Sequence, residues 1–223
     1  MTNIHEALGA AKPTAQPKLD AEQVGSNGLI LVYDTETDGF TKPKLAKTDP
    51  SQPHVVQIAC SLIEQDGTER ACFHAIVKPD GYSIPAETAA IHGIDTALAE
   101  RVGVPAQVAM AAFCQLRARA SEVAAHNEEF DWFVLEVALA RLGIRPTKTW
   151  PKRTCTMRGS TALVNLPPTP KMIKAGFTKN KPPSLMELHT FLFGEGFEGA
   201  HDAMVDVRAC SRSLVELRRR GVL

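Results

Sequence analysis

The sequence predicts an α/β domain, in which a mixed β-sheet carries helices on its faces. Strand-like apolar runs come first, helix-like amphipathic segments then alternate with short strands, and 44% of the 223 residues are hydrophobic. A chain of this size and composition can bury one adequate core, so a single domain is expected. Strands followed by helix–strand–helix alternation are typical of a mixed sheet.

The first half of the domain predicts a meander of three strands and one short helix. The strands are expected at 28–35, 55–64 and 72–77, which are apolar and rich in β-branched residues. Asp66-Gly67 is a hairpin-turn signal between the second and the third strand. Residues 85–92 indicate a short helix, with Ser83 as its candidate cap.

The second half predicts helices interleaved with short strands. Helices are expected at 105–120, 131–142, 185–193 and 203–219, and strands at 122–125 and 154–157. In the first of these helices Val108, Ala112 and Leu116 recur on one face. Residues 1–27, rich in Ala, Pro, Gln and Gly, predict a flexible N-terminal arm, which leaves 28–223 for the folded domain.

Charge is informative only locally, because the formal net charge is zero. No acidic residue interrupts the stretch from Arg141 to Pro183, which holds ten cations: Arg141, Arg145, Lys148, Lys152, Arg153, Arg158, Lys171, Lys174, Lys179 and Lys181. Such a stretch is either a solvated strip or a surface that attracts a polyphosphate backbone. We expect the Pro- and Lys-rich loop at about 166–183 to guide a nucleic-acid strand.

Cysteine usage and hydropathy bear on the compartment. The five cysteines are odd in number and form no C-x-x-C pair, which favours reduced thiols and a cytoplasmic location. No apolar run is long enough to span a membrane, and the N-terminus does not read as a secretory signal.

Four acids and one histidine follow the predicted elements in a regular order. Asp34 and Glu36 end the first strand, Asp131 begins a helix, and Asp206 lies in the first turns of the last helix, just after His201. Carboxylates beside buried strands are costly to desolvate unless a cation compensates them. Hard oxygen donors suit Mg²⁺ or Mn²⁺, so the pattern predicts phosphodiester hydrolysis with two metal ions.

The predicted elements also suggest how these groups are arranged. Asp34 and Glu36, two residues apart on a strand, point to the same side. His201, at a loop–helix boundary, is placed to act as a base toward water. Asn127 is either a helix cap or a group that hydrogen-bonds the substrate. Asp202 is read as an acid that favours the helix N-terminus and not as a metal ligand.

Beyond these inferences, the chain resembles the DEDDh family of 3′→5′ exonucleases, which includes proofreading exonucleases and ribonuclease T. The resemblance covers about residues 29–217 and is carried by the segments 32–39, 125–131 and 200–207, with 91–94 as a further match. It implies a ribonuclease H-like fold. It also implies that the late histidine, rather than a tyrosine, completes the site.

The resemblance implies a role for each member of the site. Asp34 would bridge two Mg²⁺ or Mn²⁺ ions, Glu36 and Asp206 would complete the more tightly held ion, and Asp131 would support the other. His201 would take the proton of the attacking water. The implied partner is a single-stranded 3′ end, most readily DNA, with a separate DNA polymerase as a further partner.

Substrate contacts are expected from a wider group. The candidates are Thr35, Thr37, His92, Asn127 and Phe130, and Phe40 and Trp132 are additional stacking surfaces, although Trp132 is more readily a core residue. Two other functions keep the same sequence features. An exoribonuclease would retain every catalytic residue, and a non-catalytic nucleic-acid or polymerase-binding module would retain the fold.

Overall fold

The computed structural model describes residues 28–144 and 151–223, so the predicted arm at 1–27 lies outside the described residues. They contain a five-stranded sheet in the order β3-β2-β1-β4-β5. The strands are β1 (Ile30–Thr37), β2 (Val55–Ile63), β3 (Glu69–Ile76), β4 (Glu122–Ala125) and β5 (Lys152–Cys155). β1, β2 and β3 form an antiparallel meander, whereas β4 and β5 run parallel to β1. The mixed α/β sheet predicted from the sequence is confirmed.

Helices cover the sheet on both faces. They are α1 (Ala86–His92), α2 (Thr96–Val102), α3 (Ala106–Arg117), α4 (Glu128–Arg141), α5 (Thr156–Val164), α6 (Pro170–Lys174), α7 (Leu185–Phe193) and α8 (Ala203–Arg219). The predictions for α7 and α8 are confirmed to the residue. α4 begins three residues earlier than expected, because the helix already starts at Glu128. Within the described residues, no helix meets the length and apolarity needed to cross a bilayer.

Two local expectations were wrong. Ser83 does not cap α1, since the helix starts after Pro85 and no side chain caps its first turn. The strand expected at 154–157 ends at Cys155, whose sulfur accepts a hydrogen bond from the backbone N–H of Arg158 and so begins α5. α2, α5 and α6 were not predicted. They are short, and α5 contains Gly159, which is unfavourable inside a helix.

The core lies on both sides of β1 and follows its two-residue alternation. Leu31 and Tyr33 point toward α3 and α4, where they pack with residues such as Phe113, Leu135 and Trp132. Ile30 and Val32 point the other way, against Val207 and Leu214 of α8. Trp132 is therefore a core residue, as its sequence position favoured. Because β1 is buried on both faces, its continuation beyond Tyr33 leads straight into a region bounded by α4 and α8.

Candidate active site

The acidic residues meet where β1 ends, and its alternation explains how. Asp34 and Glu36 continue the series of Ile30 and Val32, so they face α8, which carries Asp206. Thr35 continues the series of Leu31 and Tyr33 and faces α4, which carries Asp131. The end of one buried strand thereby gathers acids from both helical layers.

Thr35 ties Asp131 to this strand end. Its backbone N–H and its hydroxyl both donate to Asp131 Oδ1, at 3.0 Å and 2.7 Å. Both residues are buried, with 6% and 3% of their surface exposed. Since both hydrogen-bond donors of Thr35 are used within the protein, Thr35 positions Asp131 and offers neither donor to a substrate.

The start of α8 is fixed by three acceptors. Asp202 Oδ1 accepts from the N–H groups of Met204 and Val205, at 2.9 Å and 3.2 Å. Gln57 of β2 accepts from the N–H of Ala203, at 3.0 Å. Asp202 is thus occupied in capping the helix, as its sequence position predicted, and Asp206 one turn later is directed toward β1.

His201 lies beside these acids in an uncommon backbone conformation. Its φ is +71°, in the left-handed region, and its N–H donates to Asp206 Oδ2 at 3.0 Å. The ring is exposed to solvent. One ligand atom each from Glu36, His201 and Asp206 lies within 4.8 Å of the others, an arrangement that could hold a metal ion. The same position also allows the imidazole to act on a water molecule next to the carboxylates.

The carboxyl groups are electrostatically unfavourable to one another. Burial, followed by the charges of Asp131, Asp206 and Glu36, holds the pKa of Asp34 well above its usual range. Burial and the neighbouring Asp206 raise the pKa of Glu36 to about 8. Burial raises the pKa of Asp131 to about 7, although the hydrogen bonds from Thr35 oppose the rise. Burial also raises the pKa of Asp206. An all-oxygen cluster under such repulsion fits hard divalent cations.

This repulsion predicts an unusual pH dependence of stability without metal. The folded protein keeps protons on Glu36 and Asp131 up to about pH 7–8, whereas the unfolded chain releases them near pH 4. A group with a raised folded-state pKa stabilises the fold less as pH rises. We therefore expect the Tm of EDTA-treated protein to fall between pH 5.5 and pH 8, and Mg²⁺ to reverse the fall, as measured by differential scanning fluorimetry.

The double variant Asp34→Asn/Glu36→Gln is the control for this measurement. It keeps the side-chain shapes but has no carboxyl groups to titrate at these positions. The difference between its Tm and that of the wild type isolates the two carboxyls from every other titrating group. That difference should widen with pH in EDTA and shrink in Mg²⁺. A pH-independent difference would contradict the assigned repulsion.

The remaining predicted substrate residues surround the acids in different ways. The hydroxyl of Thr37 donates to the carbonyl of Gly39 at 2.8 Å and closes the turn after β1. Asn127 has a φ of +72° and makes no side-chain cap hydrogen bond, so the capping alternative for it was wrong. Phe130 is partly buried against the core. Phe40, directly after the turn, is 87% exposed.

His92 lies near the same turn. Its Nδ1 accepts from the N–H of Ile94 at 3.2 Å, and its buried Nε2 has no hydrogen-bond partner in the parts of the chain that the structure describes. Burial lowers the pKa of His92, with a smaller contribution from the charge of His201. A neutral imidazole with a spare nitrogen therefore borders the site.

Two supporting groups were not predicted. Glu128 is 3% exposed, accepts from the Tyr33 hydroxyl at 2.9 Å, and receives two hydrogen bonds from Arg153 at 2.6 Å and 2.7 Å. This pairing secures the first turn of α4 to β1 and β5. The only signal in the sequence was the acidic run at 128–131, which is common at helix starts. Asp38 Oδ2 likewise lies 2.7 Å from His54 Nδ1 and secures the turn after β1 to the segment before β2.

The comparisons with known proteins follow the same division between family and fold. A family model of the RNase T group, described as exonuclease, matches residues 31–214. No curated protein matches the chain.

Solved structures give the fold. One is a zinc-bound form of the E. coli exonuclease I complex with single-stranded DNA, with a TM-score of 0.67 at 20% identity over 86% of this chain and 41% of that one. Another is E. coli exonuclease I with a dT13 oligonucleotide, with a TM-score of 0.68 at 21% identity over 86% and 41%. Exonuclease I from Methylocaldum szegediense gives 0.65 at 22% identity over 86% and 40%. The chain spans about two fifths of the length of these structures, and the likeness confirms the expected ribonuclease H-like fold.

Proposed function

Since this chain belongs to the exonuclease family whose model matches residues 31–214, we propose that it hydrolyses single-stranded DNA stepwise from the 3′ end, releasing nucleoside 5′-monophosphates. One observation carries the proposal. The end of β1 gathers Asp34, Glu36, Asp131 and Asp206 with His201 beside them, in a cluster whose carboxyl pKa values are raised by burial and mutual repulsion.

Asp34, Glu36, Asp131 and Asp206 would hold two Mg²⁺ or Mn²⁺ ions. When bound, the ions would supply Lewis-acid stabilisation of the charge that develops on the phosphate oxygens and on the leaving 3′-oxygen. The fit is supported by the oxygen-only donors of the four acids and by their repulsion, which a dication relieves. Thr35 contributes indirectly, because it holds Asp131 in place through two hydrogen bonds.

His201 would accept the proton of the attacking water. Its backbone is held by the hydrogen bond to Asp206, while its ring is exposed and free to approach a water molecule beside the carboxylates. The water oxygen forms a bond to phosphorus, the bond from phosphorus to the 3′-oxygen breaks, and the 3′-oxygen regains a proton from solvent. The released nucleotide carries the 5′-phosphate.

The terminal nucleotide would lie against the turn after β1. Thr37 closes that turn, and the exposed ring of Phe40 offers a face for stacking at its end. His92 and Asn127 lie on elements that border the acids and would supply hydrogen bonds. In this proposal the protein acts in the cytoplasm, where its five free cysteines stay reduced, and a separate DNA polymerase is a candidate partner.

The proposal is tested by digesting matched single strands of DNA and RNA in Mg²⁺, Mn²⁺ and EDTA. A 5′ label should give a ladder that shortens from the 3′ end, and a 3′ label should be released at once as mononucleotide. Both results should require the metal. Preferential cleavage of RNA would convert the assignment to an exoribonuclease. Absence of cleavage of either polymer would reject the enzyme in favour of a binding module.

A further inference from the structure

A well-fastened excursion separates α5 from α7, and we call residues 166–181 the lysine loop. Its base is closed by a hydrogen bond from the N–H of Lys181 to the carbonyl of Leu166, at 3.0 Å. Inside the loop, Thr169 caps the short helix α6, and the N–H of Phe177 donates to the carbonyl of Met172 at 2.9 Å. The loop therefore holds its side chains in a defined order.

Only part of the cationic stretch predicted from the sequence is available to a ligand. Five of its members are engaged inside the protein: Arg141 with backbone carbonyls, Lys152 with Glu122, Arg153 with Glu128, Arg158 with Glu129 and Lys181 with Glu187. Arg145 and Lys148 lie outside the described residues. Lys171, Lys174 and Lys179 are exposed, and none pairs with an acid in 28–144 or 151–223. The unneutralised charge is thus concentrated on the lysine loop.

Apolar side chains are interleaved with these three lysines. Ile173 is 55% exposed and Phe177 is 64% exposed, so both present their surface to solvent beside the ammonium groups. Aromatic faces among cations are the combination by which proteins hold single-stranded nucleic acids, since bases stack on rings while phosphates pair with lysines. A hydrophobic surface for a protein partner would not need three unpaired charges of one sign.

The exit of the lysine loop is attached to the active-site edge of the sheet. The carbonyl of Pro183 lies 3.0 Å from Nε2 of His126, whose Nδ1 lies 3.0 Å from the Thr156 hydroxyl. His126 directly follows β4 and precedes the helix that carries Asp131. Burial lowers the pKa of His126 to about 4, so this connection stays neutral. The loop and the acids therefore share one edge of the fold.

We propose that the lysine loop is a second binding site for the single strand, holding the part upstream of the 3′ end. Lys171, Lys174 and Lys179 contact successive backbone phosphates, and a base stacks on Phe177. This inference rests on the proposed function, because it takes the strand in the active site as the occupant. It predicts that a long oligonucleotide binds better than a trinucleotide, which is too short to reach the loop.

The test compares two substrates with one triple variant, Lys171→Ala/Lys174→Ala/Lys179→Ala. For a 20-nucleotide single strand we expect KM to rise at least about tenfold with kcat unchanged. The dependence of log KM on log salt should flatten by about two, since a single strand contributes roughly 0.7 per phosphate. Hydrolysis of a trinucleotide should stay as in the wild type. Phe177→Ala should also raise KM for the long strand, but without changing the salt slope.

The matched control removes three exposed cations elsewhere, in the variant Lys78→Ala/Arg101→Ala/Arg119→Ala, and should leave KM near the wild-type value. Equal effects of the two triple variants, or loss of trinucleotide hydrolysis in the loop variant, would overturn the proposal. Failure of the proposed function is distinguishable. If the wild type cleaves nothing, fluorescence anisotropy with labelled dT20 in EDTA still shows whether the loop variant alone has lost binding.

Discussion

Replacing Asp34 with asparagine should lower the hydrolysis rate at least about a thousandfold while making the metal-free protein more stable. Asp34 stands amid Asp131, Asp206 and Glu36, and burial with these charges raises its pKa. Asparagine keeps the shape but cannot supply the charge that would hold the ions. Losing a group behind a ligand already costs about 10–100-fold, so losing the ligand itself should cost more. Removing one repelled, buried carboxylate relieves the folded state.

The two effects are measured separately, by single-turnover cleavage in Mg²⁺ and by Tm in EDTA. In a domain of this size 1 kcal/mol corresponds to roughly 2–4 °C in Tm, so even a modest relief is detectable. Asp80→Asn, an exposed acid beyond β3, serves as the control and should change neither quantity. A variant at Asp34 that kept a tenth of the activity would remove this residue from the assigned ligand set.

His201→Asn should lower kcat by about 10²–10⁴ and leave KM for a single strand close to the wild-type value. Asparagine is the informative replacement because residue 201 has a φ of +71°, which asparagine adopts more readily than alanine. The loss of activity then reflects the missing base and not a distorted turn. Added imidazole should restore part of the rate, as measured by initial velocities at saturating DNA.

His74→Asn on the exposed edge strand is the matched control and should be silent. The same experiments separate two roles that the geometry allows for His201. If the histidine acts as a base, the Mg²⁺-induced rise in Tm persists in His201→Asn. If that rise disappears together with the activity, His201 is a ligand in the trio with Glu36 and Asp206.

The strands and long helices could be predicted because their sequence patterns are strong. β1 is an unbroken apolar run, and α7 and α8 begin at residues with clear capping chemistry, such as Ser184 with Glu187. The convergence of Asp34 and Glu36 with Asp206 also follows from the sequence, because the alternation of β1 determines which layer each side chain meets. The family match supports the same reading of these elements.

Other features depend on contacts that no local pattern contains. Thr35 looked like a residue facing the substrate, yet its partner Asp131 lies 96 positions later. The cations of Arg153 and Lys181 could not be assigned as engaged before their acids, Glu128 and Glu187, were placed beside them. The short helices α2, α5 and α6 carry weak intrinsic preference and are held by their neighbours. Tertiary contacts decide all of these.

The order of the site along the chain has a consequence for biosynthesis. Asp34 lies near one end of the domain, whereas Asp206 lies on α8, which packs against β1 only after about 170 further residues have been made. At roughly 5–20 residues per second, translation takes about 10–35 s to cover that distance. Until then the nascent chain holds an incomplete set of acids. The nuclease is therefore inert while still on the ribosome, and it becomes active only when its last helix docks.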